Sequence, residues 1–265
     1  MADLDLLRGQ LRRLDRVAVA FSGGADSAFL AWMAHDTLGP ERAMAVTAVS
    51  PSLAGFERDD CALLAAEWDL RWVQVHTEEM ADAAYQRNDA DRCFHCKDAL
   101  MDAVGPLAEV EAATVVLGVN LDDLGDHRPG QRAAAGRGAL FPLVEAGFTK
   151  ADVRSASREL GLRTWDKPAA ACLASRVPYG TAVTLGVLAE VEAAETGLRG
   201  LGFTDLRVRH YGELARLEVP LADLDLVLAR RDAVVAAVRA AGYRYVTLDL
   251  EGLRSGNLNQ ALDAG

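Results

Sequence analysis

No run in the chain approaches the ~18 uncharged apolar residues of a membrane-spanning helix, so no membrane partner is expected. Basic excess is missing as well: 28 lysines and arginines face 39 aspartates and glutamates, for a formal net charge of −11. Phosphate neutralisation is the main affinity term in nucleic-acid binding. No nucleic-acid partner is therefore expected, and local basic clusters must carry any anionic ligand. The opening Met1-Ala2-Asp3-Leu4-Asp5 has no basic stretch followed by an apolar run, which reads as no signal peptide and a cytoplasmic protein. Only four cysteines occur, Cys61, Cys93, Cys96 and Cys172; in a reducing compartment they are metal ligands, reactive thiols or core residues rather than disulfides. There is no Pro/Ser-rich linker, no internal repeat and no G-x-x-x-x-G-K-[ST] loop, and the last absence excludes the Walker type of nucleotide site.

What is present is Phe21-Ser22-Gly23-Gly24-Ala25-Asp26-Ser27, set between an apolar run at 17–20 and a helical run at 28–34. A strand that turns through glycines into a helix start is an anion cradle: the backbone approaches a phosphate closely, and the free N–H groups and positive dipole end of the helix face it. Ser22 and Ser27 add hydroxyl donors. Asp26 is out of place beside a phosphate unless a metal ion or an ammonium group stands between them. The pattern S-G-G-x-D-S resembles the PP-loop of the ATP pyrophosphatase group. That resemblance implies cleavage of ATP between its α and β phosphates, adenylation of a substrate and release of pyrophosphate.

The rest of the first 181 residues alternates strands near 17–20, 43–49, 72–76 and 114–120 with helices near 3–14, 54–68, 96–110 and 149–160. Such alternation predicts an α/β fold with a parallel, Rossmann-like sheet covered on both faces, and ligands collect at the carboxyl ends of its strands. Thr47, Gly118 and Asn120 lie toward those ends and join Ser22, Gly23, Gly24, Asp26 and Ser27 as candidate ATP contacts. Residues 77–92 read as irregular, and 121–130 as a polar loop in which Asp123 and Asp126 are candidate magnesium ligands. Phe56, Leu63, Leu64 and Trp68 are read as one face of the 54–68 helix, with Cys61 a small buried residue. From 182 to 265 the pattern changes to a helix at 184–200, a hairpin over 206–219, one or two helices within 221–241 and a strand at 243–250. This predicts a smaller C-terminal α+β domain for substrate binding or oligomerisation.

Cys93 and Cys96 form C-x-x-C in Arg92-Cys93-Phe94-His95-Cys96-Lys97. With Cys172 as a third thiol they suit a [4Fe–4S] cluster with one open iron; with His95 they suit zinc; unligated thiols at a helix start are the plain reading. Cys172 sits in a Pro- and Gly-broken stretch between Lys167 and Arg176, cations that favour a thiolate nucleophile. Arg207 and Arg209 share one strand face and Arg216 lies on the partner strand, a fork suited to phosphate or carboxylate and equally to a solvated or ion-paired face.

Six segments, S-G-G-A-D-S, R-C-F-H-C-K, G-V-N-L-D-D-L-G-D-H-R-P-G, T-W-D-K-P-A-A-A-C-L-A-S-R-V-P-Y-G, R-V-R-H and L-D-L-E-G-L-R-S-G-N-L-N, span residues 22–259. Together they resemble the LarE family, ATP-dependent sulfur transferases of nickel-pincer nucleotide biosynthesis in the lactate racemase system. The resemblance implies a small-molecule substrate, a pyridinium biscarboxylate mononucleotide whose carboxylates are adenylated in turn and converted to thiocarboxylates. It implies ATP and Mg2+, with Asp26 and Asp123 for the metal, Asp26 and Cys172 as catalytic residues, and Arg176, Arg207, Arg209 and Arg216 on the substrate. It also implies homo-oligomers. In one version of the family the cysteine matching Cys172 gives up its sulfur and becomes dehydroalanine. In the other, three cysteines hold [4Fe–4S] and a cluster-bound sulfide is transferred. This sequence has Cys93, Cys96 and Cys172, so the cluster version is the expected one. Two other classes compete. A further PP-loop enzyme such as a tRNA thiolase is opposed by the acidic charge, and a non-enzymatic nucleotide-binding protein is separated by substrate-dependent pyrophosphate release.

Overall fold

A computed structural model describes residues 3–125, 129–168, 171–254 and 257. The chain divides into two compact units, one from residues 1–79 with 93–170 and the other from 80–92 with 171–265.

The first unit opens with α1 (Leu4–Leu14), whose N-cap Asp3 accepts hydrogen bonds from the amides of Asp5 and Leu6 and whose Leu7 and Leu11 turn inward. There follow β1 (Val17–Ala20), α2 (Ala25–Leu38), β2 (Ala43–Val49), α3 (Gly55–Glu67) and β3 (Arg71–His76). After a short helix α4 (Ala83–Gln86) in the other unit come α5 (Arg92–Val110), β4 (Thr114–Leu117), α6 (Pro129–Gly136), α7 (Pro142–Glu145) and α8 (Lys150–Glu159). The four strands form one parallel sheet in the order β3-β2-β1-β4. Alternate residues face opposite sides, and both sides are apolar. Val17, Val19, Ala43, Ala45 and Val116 pack with Leu7, Phe29, Leu30 and Met33, whereas Ala18, Met44, Val46, Val115 and Leu117 pack with Leu100, Met101 and Val104. From β1 the next strands run off to one side and β4 lies on the other. An open parallel sheet leaves its ligand crevice at that divergence, beyond the carboxyl ends of the two strands.

The second unit holds α9 (Leu185–Gly200), β5 (Arg207–Tyr211), β6 (Leu214–Glu218), α10 (Leu224–Ala229), α11 (Arg231–Ala240) and β7 (Tyr245–Leu248). β5 and β6 make the expected antiparallel hairpin, turning at Gly212 with φ 65°, and β7 joins β6 in parallel. Leu198, Val208, Leu217, Val234 and Val238 make a separate core. No helix among the described residues is long and apolar enough to cross a membrane.

Three local expectations change. The irregular 77–92 stretch contains α4, capped by the Asp82 carboxylate on the Ala84 amide and anchored by buried Tyr85. Residues 129 and 130, the end of the expected polar loop, begin a helix that runs to Gly136, with Pro129 at a first helical position, where proline is favoured. On α3 the inward face is Glu57, Cys61, Leu64 and Ala65 while Leu63 is exposed, because an ion pair places a carboxylate on the core side, where a hydrophobic pattern cannot show it.

Candidate functional site

In the first unit the site is built at the β1–α2 turn. Phe21 is the last residue tied to the sheet: its amide donates to Val46 and its carbonyl accepts from the Thr47 hydroxyl at 2.7 Å, a hydroxyl that itself accepts from the Trp72 indole at 2.8 Å. Thr47 is thus buried as a brace under the loop. Gly23 then adopts φ 68°, a conformation that favours glycine, and a Cβ there would stand 3.0 Å from the Cys61 sulfur. α2 starts at Ala25 with Gly24 as N-cap and no side chain capping it, so its first amides have no intrahelical acceptor and its positive end is open to an anion. The Ser27 hydroxyl donates to the Gly24 carbonyl at 3.1 Å and accepts from the Ser22 amide at 3.2 Å, closing the turn on itself. Gly118, just past β4, lies against this turn: a Cβ there would meet the Asp26 carbonyl carbon and the Ser27 nitrogen at 2.8 Å. Its contribution is close backbone approach.

Asp26 is paired with an ammonium group. Lys150, the first residue of α8, forms an ion pair with Asp26 Oδ2, and Asn120 Nδ2 donates to Oδ1 at 3.2 Å. The Asn120 amide donates to Asp123 Oδ2 at 3.1 Å, so both carboxylates expected for magnesium hydrogen-bond to one buried asparagine. Two oxygen ligands of this kind, completed by phosphates, are what magnesium ordinarily uses. Asp126 lies outside the described residues. Lys150 went unread in the sequence: Thr149-Lys150-Ala151-Asp152 signals a capped helix start, and no spacing ties residue 150 to residue 26.

Cys93 and Cys96 stand near the start of α5, Cys93 exposed and Cys96 half-buried. Neither is in a disulfide, and their separation of three residues puts them one helical turn apart, a chelating spacing for thiolates. Among the described residues no group of three or more His, Cys, Asp or Glu side chains is arranged to hold a metal ion. Burial pushes the Cys61 thiol up to about 11, which makes it a core residue and not a nucleophile.

In the second unit half-buried Cys172 is the N-cap of a 3-10 turn, Leu173–Arg176. Arg176 holds that turn from within: its guanidinium donates to the carbonyls of Ala171 and Cys172 at 2.6 and 3.2 Å and pairs bidentately with buried Glu195. Asn88, buried with φ 56°, donates to the carbonyls of Val177, Pro178 and Thr181. Arg92 pairs with Asn88 and donates to Ala174 at 2.8 Å.

The arginine fork sorts into members. Arg209 is buried on Glu218 at 2.8 Å and on the Ser175 carbonyl at 2.8 Å, with its Nε unpartnered among the described residues. Arg216 shares Glu218, reaches Asp249 at 3.5 Å and lies over the Tyr211 ring. Among the described residues Arg207 has no carboxylate hydrogen bond; it donates to the Arg254 carbonyl at 3.2 Å, and burial together with the like charges of Arg209 and Arg176 pulls its pKa below the ordinary guanidinium value. A guanidinium in that setting attracts an anion. Removing one partner of a buried ion pair costs about 3–5 kcal/mol. Replacement of Arg209 would therefore damage folding, and Arg207 is the cleaner probe of anion binding.

No protein-family model matches the chain. It is 44% identical over 263 residues to an uncharacterized protein of Synechocystis sp., covering 98% of this chain and 97% of that one. It is 24% identical over 241 residues to an uncharacterized protein of Methanocaldococcus jannaschii, covering 91% of each. To the pyridinium-3,5-bisthiocarboxylic acid mononucleotide synthase of Lactiplantibacillus plantarum it is 39% identical over 253 residues, 95% of this chain and 92% of the synthase. Identity at that level over nearly the whole of both chains, with the parallel α/β sheet, places the chain in the LarE family.

Proposed function

We propose that this chain is an ATP-dependent sulfur transferase that converts the carboxylates of pyridinium-3,5-biscarboxylic acid mononucleotide to thiocarboxylates, the groups named in its relative. The observation that carries this reading is the open N-terminus of α2 behind an inward-turned Gly23, with Asp26 held by Lys150. A carboxylate is a poor electrophile. Attack of its oxygen on the α phosphorus of ATP expels pyrophosphate and leaves an acyl adenylate, from which a sulfur nucleophile displaces AMP. Asp26 and Asp123 are assigned to magnesium, whose charge offsets that of the phosphates.

Cys172 is assigned the sulfur step. In one route Cys93, Cys96 and Cys172 would together hold a [4Fe–4S] cluster, which would carry the sulfide to be transferred. The alternative uses Cys172 directly: its sulfur displaces AMP as a thioester, and loss of the α proton with cleavage of the Cβ–S bond leaves thiocarboxylate on the substrate and dehydroalanine in the chain. Arg176 keeps the turn bearing Cys172 in place in either case.

The test is anaerobic incubation with ATP, magnesium and the biscarboxylate mononucleotide. Pyrophosphate and AMP are expected in equal amounts, and only when the mononucleotide is present. Release of ADP, or nucleotide cleavage indifferent to the mononucleotide, overturns the proposal. Replacing Arg207 by alanine is expected to raise the KM for the mononucleotide roughly ten- to a hundredfold, the value of a charge-assisted hydrogen bond, with the KM for ATP unchanged. An unchanged mononucleotide KM removes Arg207 from the site.

A further inference from the structure

Beneath the glycine turn lies a half-buried cation that the adenylation and sulfur steps do not use. Lys167 Nζ donates to Asp60 Oδ2 at 2.7 Å, to Glu57 Oε2 at 2.8 Å and to the Gly23 carbonyl at 3.1 Å, which engages all three of its protons. The first two partners sit on α3, so the ammonium is anchored to a rigid element. Arg163 braces the same group from its far side, donating to Asp60 at 2.7 Å and to Glu67 at 2.8 Å. Burial by itself would lower the Lys167 pKa, but the hydrogen bonds and charges of Asp60 and Glu57 hold it above the ordinary lysine value. The group is thus an ammonium throughout the neutral range, and its contribution fades only as pH rises through that elevated value.

We infer that Lys167 is a positioning residue for the phosphate loop, fixing the Gly23–Gly24 peptide with its N–H turned outward at the α2 N-terminus. A trans peptide is planar, with C=O and N–H pointing opposite ways, so a donor that pins the Gly23 oxygen from the α3 side also fixes where the Gly24 hydrogen points. The need for such a pin follows from the glycines. A Gly–Gly peptide turns over at little steric cost, and the turned-over form would present a carbonyl oxygen to a phosphate instead of a donor. An ion pair serving packing alone has no need of a loop carbonyl; this one spends a third of its donors on it. Lys167 also stands five residues before Cys172 in the chain, so the segment that leads to the sulfur carries the brace of the nucleotide loop.

The inference rests on the reading of Ser22–Ser27 as a phosphate site, and its test separates the two. Affinities for ATP, inorganic pyrophosphate and adenosine are measured on wild-type protein, on Lys167→Met and on the charge-balanced Glu57→Gln/Lys167→Met, with folding followed by circular dichroism. In the variants ATP and pyrophosphate are expected to bind roughly ten- to a hundredfold more weakly, the worth of a hydrogen bond to a charged group, while adenosine binds as in wild type. Unchanged pyrophosphate affinity in either folded variant overturns the inference, as does an equal loss for adenosine. Failure of wild-type protein to bind ATP and pyrophosphate overturns the phosphate-site reading itself, before any variant is compared. Should Lys167→Met not fold because it strands Glu57 and Asp60, the double variant, which removes one charge of each sign, carries the test.

Discussion

Replacing Cys172 by serine is expected to abolish thiocarboxylate formation, by about a thousandfold or more, while pyrophosphate release on the first turnover continues. The split follows from where the residue sits. Its backbone caps the 3-10 turn, and its carbonyl is held by Arg176 and by the Ser175 amide, contacts that serine keeps. Only the sulfur is lost. The acyl adenylate then forms and waits, so AMP leaves at the slow rate of hydrolysis. A companion variant, Cys93→Ser, separates the two sulfur routes. If Cys172 is consumed, Cys93→Ser still completes one transfer and the protein loses the mass of hydrogen sulfide. If iron is required, Cys93→Ser transfers nothing, and wild-type protein purified without oxygen contains iron and acid-labile sulfide and keeps its mass after turnover. Thiocarboxylate formed by Cys172→Ser at the wild-type rate would take Cys172 out of the reaction.

The second large effect is expected at Asp26. Asp26→Asn keeps the shape and removes the charge shared with Lys150 and Asn120, and it should cut pyrophosphate release roughly 10²–10³-fold, as the loss of one preorganised electrostatic group commonly does. A double-mutant cycle then defines Lys150. If Lys150 only neutralises Asp26, Asp26→Asn/Lys150→Met releases pyrophosphate no more slowly than Asp26→Asn alone. If Lys150 also meets the phosphates, the double variant is slower and its KM for ATP is higher. Rates near wild type for Asp26→Asn, over a magnesium titration, would reduce the pair to a surface contact.

The parallel sheet was legible because apolar runs alternate with amphipathic ones, and the hairpin because Arg207-Val208-Arg209-His210 alternates with period two before Gly212. The glycine turn was legible because the residue types needed for it are rare together. The counter-charges were not. Lys150 reaches Asp26 and Lys167 reaches Gly23 across more than a hundred residues, and a hydrophobic pattern carries no record of which lysine meets which carboxylate. Leu63 and Leu64 were read as sharing one face of α3 for the same reason: the inward face includes Glu57, which its lysine makes tolerable there, and Leu63 lies outside it. The arginine fork was visible as a fork, but the division between its members was not: the register sets Glu218 opposite Arg207, yet its carboxylate accepts from Arg209 and Arg216, and Arg207 donates to the Arg254 carbonyl instead.

The second unit is sewn from two distant pieces of chain, and this orders events on the ribosome. Residues 80–92 emerge before α5 to α8 have been made, yet the Asn88 amide finds its acceptors only at Val177, Pro178 and Thr181. The Asn88 side-chain amide must wait for those carbonyls while the parallel sheet beside it in sequence is completed, and long-range closure of this kind is slow. A gene cut after codon 170 would strand Asn88 without its carbonyls, and one starting at 171 would carry the carbonyls without Asn88, so neither cut yields both units whole.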